Sequence, residues 1–125
     1  MSNLIPETDF TCVASAAAVP ANRLIDLLAS TVPGVYNGQL AGAATVASAV
    51  STTGQNTVGG TFSAMCLNGT SWAYIEAHAA ITAGALVYAD AAGRVGPTAG
   101  NRRIGRALNA ATNQGDLLLV QLSPA

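Results

Sequence analysis

Short apolar runs separated by turn residues dominate the chain, most clearly from Ala80 to Leu122. Asp90-Ala91-Ala92-Gly93 and Asn113-Gln114-Gly115-Asp116 interrupt these runs with residues that favour tight turns. Alternation of apolar and polar positions within the runs is typical of strands that bury one face. The pattern therefore predicts two hairpins, one joining Leu86–Ala89 to Arg94–Gly96 and one joining Ile104–Leu108 to Leu117–Leu122.

The N-terminal half has a similar but weaker pattern. Phe10–Ala16 is rich in the Thr, Val and Phe that strands favour, and Arg23–Ala29 is a second apolar run of strand length. Asn68-Gly69 has the composition of a two-residue hairpin turn and predicts that Thr61–Leu67 pairs with Ser71–Ala77. Residues 1–9 are expected to form an exposed, extended arm.

The segment Gly38–Gly60 is the hardest to interpret, because it consists almost entirely of Gly, Ala, Ser and Thr. Val46 and Val50 have the spacing of one helix face, but alternate residues from Val46 to Val50 equally fit one face of a strand. We leave these alternatives open. Ser51–Gly60 is predicted to be a flexible loop.

Two heptapeptides hint at an internal repeat. Val19–Ile25 and Ile81–Val87 both place Ala at the third position, Leu at the sixth and a β-branched residue at the seventh. If the repeat is genuine, it predicts a barrel or sandwich assembled from two similar halves.

Strand alternation assigns side chains to faces. Trp72, Tyr74 and Glu76 are expected on one face of their strand, and the intervening residues on the other. The final strand is apolar on both faces, since Leu117 and Leu119 lie on the face opposite the core. Either these two residues contact another subunit, or the strand is buried on both sides within the domain.

Arg106 falls by alternation on the same face as Ile104 and Leu108. Either a bulge at Gly105 turns it outward, or it needs a carboxylate or carbonyl partner at an interface.

Composition places the chain among proteins that associate with others. Charged residues make up 9% of its 125 residues, against about 25% in an ordinary soluble domain. All five basic residues are arginine, which pairs well at partly buried contacts. Acidic residues dominate the first 30 positions, whereas Arg94, Arg102, Arg103 and Arg106 make the C-terminal part basic, so the two ends could pair within or between subunits.

No pattern of catalytic or cofactor-binding residues is evident. His78 is the single histidine, the carboxylates are scattered, and the glycines lack phosphate-binding spacing, so we predict no enzyme, metal or cofactor. Cys12 and Cys66 are interpreted as buried thiols rather than a disulfide. The net charge of -1 argues against nucleic-acid binding, and no apolar run has the length of a membrane span or the form of a signal peptide.

Four short elements between Thr70 and Leu122 together resemble the cement or decoration proteins of tailed-phage capsids. They are an Ile-x-Ala-Gly-x-x-Val-Tyr strand start, an Asp-x-x-Gly-x-Val turn, an Ile-Gly-x-Ala-Leu strand, and Gly-Asp followed by apolar residues; here they lie at Ile81–Tyr88, Asp90–Val95, Ile104–Leu108 and from Gly115 onward. Arg106 departs from this family pattern, which more often has an apolar residue there.

The resemblance implies a mainly β protein: residues 1–125 form a single small β-barrel or β-sandwich domain with hairpins. It also implies a virion protein, made in the host cytoplasm and located on the outer capsid surface, where it cements neighbouring major capsid proteins, commonly as a homotrimer. Nucleic acid and membrane are not expected partners. The residues expected at the subunit or capsid interface are Phe10, Arg102, Arg103, Arg106, Leu117 and Leu119.

Two other functions stay open. A head fibre or adhesin-like module would bind host surfaces or glycans, and Trp72 and Tyr74 could stack on a sugar, although cross-strand packing explains them equally well. A small enzyme would have to depend on His78.

Overall fold

The computed structural model describes residues 9–14, 17–28, 36–42, 49–67, 72–99 and 101–123. The expected arm therefore lies outside the described residues, except for Asp9, which begins the first strand. No described helix is long and apolar enough to cross a membrane. The strands, in chain order, are β1 Asp9–Ala14, β2 Leu24–Leu28, β3 Tyr36–Leu40, β4 Ala49–Ser51, β5 Thr61–Cys66, β6 Trp72–Glu76, β7 Leu86–Ala89, β8 Val95–Gly96, β9 Arg103–Ala107 and β10 Leu117–Leu122.

The strands of the described residues form two five-stranded sheets. The first closes into a barrel in the order β1-β3-β2-β4-β5 and is called the first barrel below. The second sheet has the order β6-β10-β9-β7-β8, and a parallel bridge between Ala77 and Val95 connects its two ends. The predicted mainly β fold class is confirmed.

Both hairpins predicted in the last third are present. β7 pairs with β8 and β9 pairs with β10, each antiparallel. A 3₁₀ turn, Ala91–Gly93, closes the first hairpin, and its residues Ala92 and Gly93 have φ values of 58° and 74°. Glycine is favoured where φ is positive, so Gly93 suits this turn, whereas Ala92 adopts its positive φ against its intrinsic preference.

The hairpin predicted around Asn68-Gly69 is wrong. β5 pairs with β1 and β4 in the first barrel, whereas β6 pairs with β10 in the second sheet. The chain thus passes from one sheet to the other between these strands. A local turn signal cannot reveal that both strands find better partners elsewhere in the chain.

The middle of the chain contains strands rather than a helix where it is described. β3 and β4 fall in this segment, while residues 43–48 lie outside the described ranges. The predicted loop from Ser51 to Gly60 needs correction at two points. Ser51 is a buried residue of β4, and Gln55 exchanges backbone hydrogen bonds of 2.8 and 2.9 Å with Val19. Backbone pairing therefore extends into this segment.

The internal repeat is present in the backbone. Val19 pairs with Gln55 as Ile81 pairs with Ala111, and the fourth residue of each heptapeptide, Asn22 or Gly84, has a positive φ of 62° or 86°. Strand register repeats as well. In the first barrel, Leu24 pairs with Val50, Val50 with Met65, Thr11 with Ser63 and Ala14 with Gly38. The equivalent pairs in the second sheet are, in the same order, Leu86 with Arg106, Arg106 with Gln121, Tyr74 with Leu119 and Ala77 with Val95. The first barrel and the second sheet are two copies of one topology.

The two halves share a hydrophobic core. One cluster fills the first barrel around Ile25 and Phe62. The larger cluster lies inside the second sheet and includes Leu24 and Val50, which project from the outside of the first barrel. Because burial of these side chains requires both halves, the halves stabilise each other.

A charged network crosses the junction between the halves. Glu76 Oε2 accepts hydrogen bonds from Arg23 Nη2 at 2.9 Å and from Arg94 Nε at 2.6 Å. Arg23, which is 8% exposed, also donates from Nη1 to the carbonyl oxygen of Ala92 at 2.8 Å. Two arginines around one carboxylate give the first barrel and the second sheet a polar connection with defined geometry.

Asp116 holds the turn before β10. Its carboxylate accepts hydrogen bonds from the backbone N–H of Asn113 and of Thr112 and from the Thr112 hydroxyl, at 3.0, 3.0 and 3.1 Å. These bonds, with that from Asn113 foremost, hold the pKa of Asp116 below its ordinary value.

We expect Asp116→Asn to lower stability at neutral pH but not in acid. A carboxyl group with a depressed folded pKa stabilises the protein above its unfolded pKa, about 3.9, and the effect disappears as the pH falls through the folded value. Urea unfolding of both proteins at pH about 7 and about 2 checks this expectation. A stability difference that is equal at both pH values would contradict it.

Candidate interaction surface

The outward face of the second sheet exposes several large apolar side chains. Strand alternation buries Ala73, Ile75 and Leu118 on the inner face, as predicted, and leaves their neighbours outside. The exposed members are Trp72 at 61%, Tyr74 at 55%, Leu117 at 48%, Leu86 at 40% and Leu108 at 40%. These exposed side chains make the outward face of the second sheet a candidate interaction surface.

Strand register places these side chains side by side. Leu119 lies opposite Tyr74, and Gln121 lies opposite both Trp72 on β6 and Arg106 on β9. Arg106 in turn lies opposite Leu86 on β7. The outward face is therefore one continuous surface across four strands.

One part of this surface is a cleft between the two halves, which we call the apolar cleft. It has a volume of about 320 Å³, and its main apolar lining residues are Val50 and Met65 of the first barrel and Trp72, Tyr74 and Leu119 of the second sheet. Flat aromatic side chains give large contact area at little entropic cost, so the cleft suits an apolar segment or a sugar ring.

The other part is a pocket with two arginines, which we call the arginine pocket. It has a volume of about 360 Å³ and is lined by Leu86, Arg103, Arg106, Gln121, Leu122 and Ser123. Arg103 donates from Nε to the Ser123 carbonyl oxygen at 3.2 Å. The guanidinium groups make this pocket suitable for a partner surface that carries carboxylates or carbonyls.

A bulge accounts for the outward position of Arg106. Val87 pairs with Gly105 while Tyr88 pairs with Arg103, so Ile104 is an extra residue in β9. Ile104 is buried and Arg106 is exposed. The bulge hypothesis is therefore correct to within one residue, and Arg106 does not occupy a core face.

The structure brings together some of the residues predicted at the interface and separates others. Leu117 is exposed and Leu119 half-buried, both on the outward face of β10. Arg102 is half-buried beside the second sheet, where its carbonyl oxygen accepts from Ala89 at 2.8 Å and its Nε is buried without a hydrogen bond. Phe10 belongs to β1 in the first barrel and pairs with Ala64; its side chain lies outside the description.

The residues considered for chemistry lie apart from this surface. His78 lies 3.9 Å from Asp90 (Nε2 to Oδ1) and 3.3 Å from Gln114 (Nδ1 to Nε2). Among the described residues, no three His, Cys, Asp or Glu side chains cluster closely enough to hold a metal ion. Cys12 is buried as a thiol, and the side chain of Cys66 is outside the description.

Sequence reasoning missed Leu86, Leu108 and Gln121 as members of the surface. The internal repeat carried a signal for Leu86, since it aligns this residue with Leu24. Leu24 is fully buried at the junction, whereas Leu86 is exposed. The sequence repeat alone could not have shown this difference, because both positions are leucine and only their burial differs.

Comparisons with known proteins identify both family and fold. Residues 7–122 match the family described as phage cement protein. The fold is similar to that of the N-terminal base of the head fibre protein gp8.5 of bacteriophage phi29, with a TM-score of 0.72, 20% sequence identity and 92% of each chain covered. No curated protein matches the sequence.

Proposed function

The chain belongs to the phage cement protein family, and from this premise we propose that it is a virion protein that cements neighbouring major capsid proteins from outside the shell. It is a structural protein without enzymatic activity, made in the host cytoplasm. It acts as a homo-oligomer, with a trimer favoured. The single observation that supports this function best is the group of large apolar side chains that are exposed on the outward face of the second sheet.

Cementing follows from mass action. A protein that binds the assembled shell but not its separated subunits stabilises the shell by an amount set by affinity and concentration. Symmetric repetition over the capsid multiplies a modest contact into a large total effect. No chemical step is required.

We assign the capsid contact to the apolar cleft and its neighbour Leu117. Trp72 and Tyr74 are the kind of aromatic anchors that dominate binding energy when a partner covers them. Leu117 and Leu119 extend the same face along β10. Together they offer an apolar centre for the capsid contact.

We expect Leu117→Asp and Trp72→Ser each to weaken capsid binding at least about tenfold while the protein stays folded. Co-sedimentation with capsids of its own phage that lack this protein measures the effect. Val58→Asp is the matched control, because Val58 is 57% exposed in the turn before β5 and is not among the residues that line the apolar cleft. Equal capsid binding by all three variants and the original protein would overturn the assignment.

A head fibre or adhesin base is the second candidate function. It is favoured by the similar fold of the phi29 head fibre base and by the exposed Trp72 and Tyr74, which suit stacking on a sugar ring. Glycan-array binding that Trp72→Ser abolishes, in a protein without affinity for capsids, would support this candidate over cementing.

A further inference from the structure

The internal repeat reveals a surface that is covered in one half of the chain and open in the other. On the first barrel, Ala41 and four larger residues pack against the second sheet, and the four larger ones are Leu24, Val50, Met65 and Leu67. Their counterparts on the second sheet, by strand register, are Leu86, Arg106, Gln121 and Ser123. All four counterparts are exposed, and all four line the arginine pocket.

We propose that the arginine pocket packs against the first barrel of a second copy of this chain. The contact is the counterpart, between two copies, of the contact that the first barrel makes with the second sheet within one chain. The contact is head-to-tail: one copy contributes its second sheet and the other its first barrel. Contacts of this kind form a closed ring when the rotation permits and an open chain otherwise. The inference rests on the self-association in the proposed function and is independent of capsid contact.

The repeat also identifies the surface of the second copy that enters the contact. Within one chain, Tyr74 of β6 lines the cleft beside Val50, and the Glu76 backbone N–H donates to the Asn22 carbonyl oxygen at 2.8 Å. The counterparts of Tyr74 and Glu76 in the first barrel are Thr11 and Val13 of β1. The second copy would therefore present β1, with exposed Thr11 close to Arg106 of the first copy.

Charge complementarity supports a contact between unlike halves. Residues 1–67 contain three carboxylates and one arginine, whereas residues 68–125 contain three carboxylates and four arginines. A net-negative first half therefore meets a net-positive second half in a head-to-tail contact, whereas contacts between like halves would bring charges of one sign together.

The contact between copies should be weaker than the junction within one chain. Val50 and Met65, which pack at the internal junction, are replaced at the arginine pocket by Arg106 and Gln121. Polar and charged groups at an exposed interface give a salt-dependent, reversible association. The assembly is accordingly expected to dissociate on dilution and at high ionic strength.

A charge-swap experiment tests the inference. The wild-type chain, Arg106→Glu, Thr11→Arg and the double variant are compared by sedimentation velocity over a range of protein concentrations. Each single variant is expected to raise the dissociation constant at least about tenfold. Arg106→Glu removes a positive charge from the arginine pocket, and Thr11→Arg places a positive charge opposite the two arginines of that pocket. The double variant restores an opposite-charge pair across the contact and should recover much of the association. Thr57→Arg, an exposed threonine in a turn of the first barrel, is the matched control and should leave the mass unchanged.

Several outcomes would overturn the inference. They are a wild-type mass of 12.4 kDa at every concentration, an unchanged mass for Arg106→Glu, or a double variant that associates no more tightly than the single variants.

If Arg106→Glu loses capsid binding while its solution mass is unchanged, the arginine pocket meets the capsid instead of a second copy. Circular dichroism verifies folding, and Leu86→Asp replaces any variant that is unfolded. Because capsid co-sedimentation is measured separately, failure here leaves the cementing proposal standing.

Discussion

Glu76→Ala is expected to lower the free energy of unfolding by about 3 kcal/mol, because it leaves two arginines at the junction without their carboxylate. Glu76 Oε2 lies 2.9 Å from Arg23 and 2.6 Å from Arg94, and the Arg23 side chain is 10% exposed. A cation that is removed from water and then deprived of its counter-ion bears its desolvation cost without compensation. Urea unfolding, followed by tryptophan fluorescence and far-ultraviolet circular dichroism, measures the change.

The matched control for this prediction is Asp26→Asn. Asp26 is a half-buried carboxylate of β2 that makes no salt bridge to any other residue in the described part of the chain. Its replacement should change the free energy of unfolding by less than about 0.5 kcal/mol. If Glu76→Ala is no more destabilised than Asp26→Asn, the charged network does not hold the two halves together.

Gly93→Ala is expected to cost about 3 kcal/mol, since two separate penalties act at this position. Gly93 has a φ of 74°, which a residue with a Cβ adopts at a cost of about 1–2 kcal/mol. A Cβ at this position would also lie 2.6 Å from the Leu24 carbonyl oxygen, a backbone atom that cannot move without disturbing β2. The Gly93 N–H meanwhile donates to the Ala41 carbonyl oxygen at 2.7 Å, which keeps the turn against the first barrel.

Gly84→Ala separates the two penalties. Gly84 has a φ of 86°, yet a Cβ there would have no atom within 4 Å. Its replacement should cost only the conformational term, about 1 kcal/mol. Chemical denaturation of both variants compares them directly, and equal losses would mean that the close approach of Gly93 to the first barrel contributes nothing.

Turn chemistry made the C-terminal hairpins predictable. Gly93 and Gly115 supply the positive φ values in the two connections, and Asp90, Asn113 and Asp116 are common turn residues. The strands on either side of each connection are also close in sequence. The same reasoning failed for Asn68-Gly69, although its local signal was as strong. The strands on either side belong to different sheets, and long-range burial decided their pairing.

The interaction surface was only partly predictable. Alternation along β10 correctly placed Leu117 and Leu119 on the outward face, because side-chain period in a strand is a local property. The position of Arg106 depended on an extra residue in β9, which the sequence allowed but did not require. Arg103 and Arg106 share a pocket with Leu86 because three strands, β7, β9 and β10, lie side by side there.

By itself, the sequence determined the mainly β class, the faces of β6 and β10, the C-terminal turns and the repeated heptapeptide, since each depends on residues close together in the chain. Only the tertiary structure decided that the repeat becomes two copies of one topology and that Glu76 connects them through two arginines. It also decided that Leu24 is covered while its counterpart Leu86 is exposed. The physical reason is that distant segments pair in the arrangement that buries the most apolar surface. That arrangement depends on the whole chain, and no single segment contains the information.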